Sequence, residues 1–470
     1  MRKFVIVGGG ISGLAAAHRL TELSKDNKVQ ITLLEASSRL GGTLRTDERE
    51  GFLLERGPDS FISEKPQAVD LAKRISLESQ LIETNPDFRR SFLVRKGRLR
   101  RVPEGFQLLA PTRFWPFVTT DIFSLVGKFR MAGDLLLPRR VTNGTDDESL
   151  ADFVRRRLGA EALNRMAQPM VGGIYTADPE NLSLLATLPR FLDMERKDRS
   201  IILAMWRQAR QSRGTKTDDS GVSGARYSLF LSFERGMQTL VDKLTERLQT
   251  AGVQVRMNCE VQSISYEKEW KLRTSEGMLE ADAVCVALPS HIGSQVLSGV
   301  NSELTALLNQ IEYSSTATIN LAYRRTDIGH PLDGFGFVVP FIEGRSLIAC
   351  TFSSVKFANR APVGHVLLRA FVGGALQPEM LNSDDEELVT KVTNDLNDLL
   401  SIKGKPLFAE VSRWNRSMPQ YAVGHLKLVD LIAAELTKHP GLTLAGNGLR
   451  GAGIPDCVKS GESAAARMVG

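Results

Sequence analysis

Cysteine is scarce in this chain. Its 470 residues hold four, Cys259, Cys285, Cys350 and Cys457. They are scattered, with no CxxC pair and no histidine at ligand spacing. Neither a disulfide framework nor a metal site is expected, and the pattern suits a reducing cytoplasm. Long apolar runs are missing too. No uninterrupted stretch of about 20 residues exists, which argues against a spanning helix. The first strand pattern begins within a few residues of Met1, leaving no room there for a signal peptide. With 6 Tyr and 4 Trp, no aromatic cage can be assembled from the sequence. No basic tract is interleaved with aromatics, so nucleic acid is not an expected partner. No repeat of solenoid length is visible. No His/Asp or paired-carboxylate pattern calls for acid–base catalysis. The net charge of +6 suits an acidic ligand or a membrane surface but requires neither.

What is present begins at once. The length predicts two or three domains. Phe4 to Val7 reads as a buried strand, and Gly8, Gly10 and Gly13 follow as G-x-G-x-x-G. Ser12 to Leu23 has helical apolar spacing, and Val29 to Leu34 reads as a second strand ending at Glu35. Each glycine has a task. Gly8 permits a tight turn, Gly10 admits a pyrophosphate to the backbone, and Gly13 lets helix and strand pack closely. The helix N-terminus favours phosphate. Glu35, 22 residues after Gly13, is placed to accept from a ribose diol. Strand, turn, helix, strand and acid together indicate dinucleotide binding. A second pair, Gly41–Gly42, follows six residues after Glu35. Nicotinamide enzymes have no general need for it, whereas an extended flavin dinucleotide passes a second backbone segment. In GFLLERGPDSF, residues 51–61, Gly57–Pro58 marks a turn after a short strand.

Further along, Pro66 to Ile75 predicts a helix. FLVRKGRLRRVP predicts a hairpin turning at Lys96–Gly97. Arg89, Arg90, Arg95, Lys96, Arg98, Arg100 and Arg101 crowd it, as a solvated basic face or as a mouth attracting carboxylates or anionic lipid. Residues 104–210 are mostly helical, and the apolar segment 105–137 is either a buried helix pair or a membrane-surface segment. The Gly/Ser-rich stretch 210–228 reads as a mobile loop. FERGMQTLVDKLTERL is an amphipathic helix, two strands follow in 252–267, and 282–290 is a buried strand. The chain ends in a strand (Leu442 to Ala445), a glycine-rich loop and a helix.

The first 61 residues resemble the FAD-dependent amine oxidase superfamily. The sequence departs from the usual R-x-G-G-R once: Arg39, Gly41 and Gly42 match, and Thr43 stands where a basic residue is common. The resemblance implies FAD contacts at Gly8, Gly9, Gly10, Ile11, Ser12, Gly13, Glu35, Ala36, Arg39, Gly41, Gly42 and Thr43. It extends them to Gly57, Pro58, Asp59, Ser60, to Val261 beside the adenine, and to Trp414. Gly453, Ile454 and Pro455 would set a helix N-terminus beside the flavin ring, where its dipole favours negative charge. VGGIYTADPENLS (171–183), CTFSSVKFANRAP (350–362), RWNRSMPQYAVGH (413–425) and GIPDC (453–457) further resemble the bacterial oxygen-dependent porphyrinogen oxidases, of both the protoporphyrinogen and the coproporphyrinogen III type. That resemblance spans nearly the whole chain.

It implies a fold of α/β class with α+β regions: a Rossmann-like FAD-binding domain, a mixed-sheet substrate domain and a mainly helical subdomain. The expected division is 1–64, 226–299 and 412–470 for FAD, 65–95 and 300–411 for substrate, 96–210 helical, and 211–225 a flexible loop. It implies a six-electron oxidation of a porphyrinogen in haem biosynthesis, with O2 as acceptor and H2O2 as product, and with the flavin rather than a side chain doing the chemistry. Substrate contacts are implied at Lys65, toward a propionate, at Gly173 and Ile174 on one wall, and at Phe357 on another. Peripheral membrane contact, hand-off to a downstream haem-pathway enzyme and oligomeric state stay open. So do three other readings: an amine oxidase, a carotenoid desaturase, and a carrier of prenylated proteins like the guanine-nucleotide dissociation inhibitors.

Overall fold

The computed structural model describes residues 1–24, 28–107, 110–111, 113–140, 147–212 and 230–470. From residue 213 onward, the stretch read as a loop lies outside the described residues.

The first layer is a parallel sheet. Its strands run in the order Gln254–Arg256, Val29–Leu34, Arg2–Val7, Ala283–Val286 and Leu442–Leu444. Phe4 to Val7 and Ala283 to Val286 are buried throughout, as strands covered on both faces must be. One face carries the helices Ile11–Leu23, Gln238–Thr250 and Ile454–Val469, whose Leu14, Leu244 and Val458 share a core with Ile6 and Leu33. The other face is closed by an antiparallel meander of Val261–Tyr266, Trp270–Thr274 and Gly277–Ala281. This sheet joins chain segments from both ends of the sequence. Gly461 of the last helix meets the first where a Cβ would lie 2.1 Å from the Ser12 carbonyl oxygen.

The second layer is a seven-stranded mixed sheet. Its order is Phe408–Pro419, Tyr313–Arg324, His365–Gly373, Ala349–Phe352, Gly336–Val338, Phe92–Arg95 and Arg98–Arg101. The helix Asp385–Leu400 packs on it through Leu388, Val392, Leu396 and Leu400. The third unit is helical, around Phe153, Phe191 and Met131.

Two stretches pack differently from the division read in the sequence. The helix Gln67–Arg74, placed there with the substrate domain, buries Ala68, Leu71 and Ala72 in the core of the parallel-sheet unit with Met468. Its apolar face needs a partner, and the last helix supplies one. The hairpin strand Arg98–Arg101, placed with the helical part, extends the seven-stranded sheet by pairing with Phe92–Arg95.

Candidate active site

The strand Arg2–Val7 ends in Gly8, whose φ of +106° suits glycine. A Cβ on Gly13 would lie 1.9 Å from the Gly8 carbonyl oxygen, so the first helix sits directly against the turn. Gly10 differs. The nearest atom to its missing Cβ is the Gly42 Cα, at 4.0 Å, so this face of the turn is an open cradle. Gly10 caps the helix with no side-chain hydrogen bond, and the first-turn N–H groups of Ile11, Ser12 and Gly13 have no intrahelical acceptor.

The second glycine pair walls this cradle. The Gly41 N–H donates to the Gly9 carbonyl at 2.8 Å, and Gly10 and Gly41 bridge in parallel. Arg39 donates to the Gly42 carbonyl at 2.7 Å and to that of Leu44. Arg39 thus ties the turn instead of leaving a free charge. Glu35 accepts from the Gly9 N–H at 2.7 Å, and from the Ser37 N–H and hydroxyl at 2.8 and 2.7 Å. The Cys259 N–H donates to the Glu35 carbonyl at 2.9 Å, bringing the segment that leads to buried Val261 alongside Glu35 and exposed Ala36. A missing Cβ on Gly57, 1.8 Å from the Thr43 carbonyl oxygen, presses Gly57–Ser60 against the second turn.

From Thr43 a cavity of about 460 Å³ runs on past Gly57, Pro58, Asp59 and Ser60. Gly173, Ile174 and Met170 form one wall, and Phe335 to Val338 with Ile348 to Thr351 form another. Trp414 lines it too, its indole N–H donating to the Arg56 carbonyl at 3.0 Å. So do Asn447 and Ala452, just before Gly453 caps the last helix without a side-chain bond. Ile454 and Pro455 are buried behind it.

The cavity's charged members are bound to one another. The Lys356 ammonium donates to both Asp59 oxygens, at 3.1 and 3.0 Å, and to the Ser60 hydroxyl at 3.1 Å. Arg369, 4% exposed, donates to the Gly57 carbonyl and lies 3.8 Å from Asp59. Burial alone would raise the Asp59 carboxyl, but Lys356 and Arg369 outweigh it and hold it well below the usual range. Nearby Glu55 has no such partner in contact. Burial pushes it up to about 7, against hydrogen bonds from Thr46 and from the Met237 N–H.

Two expected substrate residues lie elsewhere. Lys65 does not line the cavity. Its ammonium is 2.7 Å from both oxygens of Asp456, a carboxylate held in the first turn of the last helix, where acids are favoured. Phe357 is a core residue, 2% exposed, lying under Lys356 and Arg360 at 5.1 and 5.6 Å. Nor does the basic crowd line the cavity. Arg89 pairs with Glu83, Arg90 and Arg101 with Asp333, and Arg100 with Asp121. Sequence reasoning missed Lys356, Arg369 and Asn447. A signal existed for Arg369: it is a lone charge inside the apolar strand run HVLLRAFVG.

The open cradle at Gly10, the bare helix end and the cavity that begins at Thr43 fit an extended dinucleotide with a ring system. The comparisons agree. The chain belongs to the flavin containing amine oxidoreductase family, whose model matches residues 11–469. It is an FAD-dependent oxidoreductase of the α/β class read in the sequence. Among its relatives, coproporphyrinogen III oxidase of Bacillus subtilis (strain 168) is 35% identical, covering 98% of this chain and 96% of that one. Chloroplastic protoporphyrinogen oxidase of Nicotiana tabacum is 31% identical, over 99% and 85%. A crystal structure of a candidate protoporphyrinogen oxidase from Exiguobacterium sp. 255-15 superposes with a TM-score of 0.86 at 32% identity, covering 99% of this chain and 98% of that one.

Proposed function

We propose that the protein oxidises porphyrinogens in haem biosynthesis, converting coproporphyrinogen III and protoporphyrinogen IX to the porphyrins with O2 as acceptor and H2O2 as product. The observation that carries this reading is the cavity that begins at Thr43, the residue after the second glycine pair. Its walls are broad and apolar, and its charged groups Asp59, Lys356 and Arg369 are engaged with each other. Such a site suits removal of hydrogen from a carbon without a dedicated acid or base. When bound, FAD supplies a two-electron acceptor, and a porphyrinogen loses six electrons on becoming aromatic. The chain's own residues hold one bridge carbon at the cofactor end and keep water out. Ile174, Phe335, Phe337 and Val338 supply the apolar surface for that. The amine-oxidase reading is less well supported, because no tyrosine lines the cavity among the described residues.

Coproporphyrinogen III is the better substrate in this reading. It carries two more propionates than protoporphyrinogen IX, matching the positive net charge. The three bacterial coproporphyrinogen III oxidases are 32–35% identical to this chain, and the plant protoporphyrinogen oxidases 27–32%. An aerobic assay of FAD-loaded protein with each porphyrinogen, read by porphyrin fluorescence and peroxide yield, is expected to show both turned over, coproporphyrinogen III faster. No enzyme-dependent gain with either would overturn the reading.

The protein also docks peripherally on a membrane, through the helical unit. Trp115 and Val118 on Phe114–Thr119, with Leu125, Val126 and Phe129 on Leu125–Ala132, are exposed apolar side chains. Lys128 joins the two helices by donating to the Val118 carbonyl at 2.6 Å. Among the described residues no helix is long and apolar enough to cross a bilayer, so contact is with one surface.

A further inference from the structure

Two of the stretches that carry the resemblance, VGGIYTADPENLS (171–183) and MPQYAVGH (418–425), lie about 240 residues apart. The fold pairs them. Leu182 and Ala422 form an antiparallel bridge. The Ser183 N–H donates to the Tyr421 carbonyl at 2.7 Å, and the Val423 N–H to the Asn181 carbonyl at 3.0 Å. Asp147 fastens the junction, accepting from the Ser183 hydroxyl at 2.6 Å and the Gly424 N–H at 3.0 Å. The first stretch carries Gly173 and Ile174 of the cavity wall.

The other side of the same segment holds the loop before the last helix. The Tyr421 hydroxyl donates to the Asn447 carbonyl and accepts from the Gly451 N–H at 3.0 Å. The His425 ring bonds the Leu449 carbonyl at 2.7 Å through Nε2. Burial lowers the His425 pKa below its usual value, so the ring is neutral at physiological pH and Nε2 carries the hydrogen that this carbonyl needs. The two rings stack with centroids 4.3 Å apart. Asn447 adds a bond from its amide to the Ser417 carbonyl at 3.1 Å. The loop is bounded by Gly446 and Gly451, at φ +137° and +132°. Leu449 also packs against the core around Val286 and Leu444, and Asn447 and Ala452 at the loop's ends line the cavity.

We infer that Tyr421 and His425 are positioning residues. They form a latch that sets the loop 446–452 against the cofactor and fixes it relative to the substrate wall at Gly173–Ile174. The inference rests on the reading that this loop faces bound flavin. A latch of this kind lets one segment register both faces of the cavity at once, so that the wall and the cofactor-side loop move together or not at all.

The test compares Tyr421→Phe with Tyr323→Phe. Tyr323 is equally buried, in the core of the seven-stranded sheet, and far from the loop in the fold. Losing the Tyr421 hydroxyl removes two hydrogen bonds, so amide-exchange protection across 446–452 should fall about tenfold, and the dissociation constant for FAD should rise about tenfold. Tyr323→Phe should change neither. His425→Gln, which keeps a donor, should lose less than His425→Leu. This pair also serves if Tyr421→Phe does not fold. Unchanged loop protection and FAD affinity in Tyr421→Phe, or a loss spread evenly over the molecule, would overturn the latch. These readouts need no porphyrinogen, so they stand whether or not the proposed substrate is turned over.

Discussion

Gly10 and Gly13 sit three residues apart in one motif and should fail differently. A methyl on Gly13 meets the Gly8 carbonyl at 1.9 Å, a clash with backbone that the turn cannot relieve. Gly13→Ala is expected to yield little folded protein. A methyl on Gly10 meets no protein atom closer than 4.0 Å. It fills the space left for the cofactor, so Gly10→Ala should fold with an unchanged apo-protein melting temperature and bind FAD at least tenfold more weakly, read by flavin absorbance titration. Equal FAD affinity would show that the dinucleotide lies elsewhere. Glu55 offers a pH test. Its folded pKa is raised to about 7 from an ordinary 4.5, so the folded state holds the proton more tightly than the unfolded state. Stability is therefore lost as pH rises through that window, by about 3 kcal/mol at 1.36 kcal/mol per pKa unit. Urea midpoints at pH 5 and pH 8 should differ less in Glu55→Gln than in the parent. Sequence patterning marked Gly10, Gly13 and Glu35 because a phosphate turn dictates glycine spacing. It could not mark Glu55, whose pKa depends on what the fold stacks around it.

At the scale of elements, the helical unit carries its own internal charge. Arg157 and Asp134 are both fully buried. The Arg157 guanidinium donates to Asp134 Oδ1 at 2.6 Å and to the carbonyls of Asp134, Pro138 and Arg199. Asp134 also accepts from the Ser200 hydroxyl at 2.6 Å and the Ile202 N–H at 3.1 Å. Every strong donor and acceptor of the pair is used, which makes removal of one partner costly. Asp134→Ala should lose about 3–5 kcal/mol in urea unfolding followed by circular dichroism, and adding Arg157→Met should recover part of it. If the single variant lost less than about 1 kcal/mol, the pair would not organise this unit. In the sequence, Asp134 interrupts the apolar segment 105–137. Nothing local says that an arginine 23 residues later will close over it. By contrast, the helices Ile11–Leu23 and Gln238–Thr250 were legible from periodicity, because each buries one continuous stripe. For Lys65 the resemblance implied a contact toward a propionate, and the fold pairs its ammonium with Asp456 of the last helix.

For the whole molecule, the exposed apolar face predicts membrane partition. Trp115→Ser with Phe129→Ser should reduce co-sedimentation with vesicles containing anionic lipid at least fivefold, while FAD content and melting temperature hold. The parent protein remaining in the supernatant would refute peripheral docking. The sequence by itself determined the cofactor class, because a phosphate-binding turn is a local structure and its glycines, helix start and acid fall within 35 residues of Met1. The parallel strand order, the burial of Lys356 and Arg369 against Asp59, and the joining of residues 181–183 to 421–423 were decided only in three dimensions. They depend on which distant segments share a core, and on how a charge is compensated once water has left. Periodicity and spacing carry no information about either.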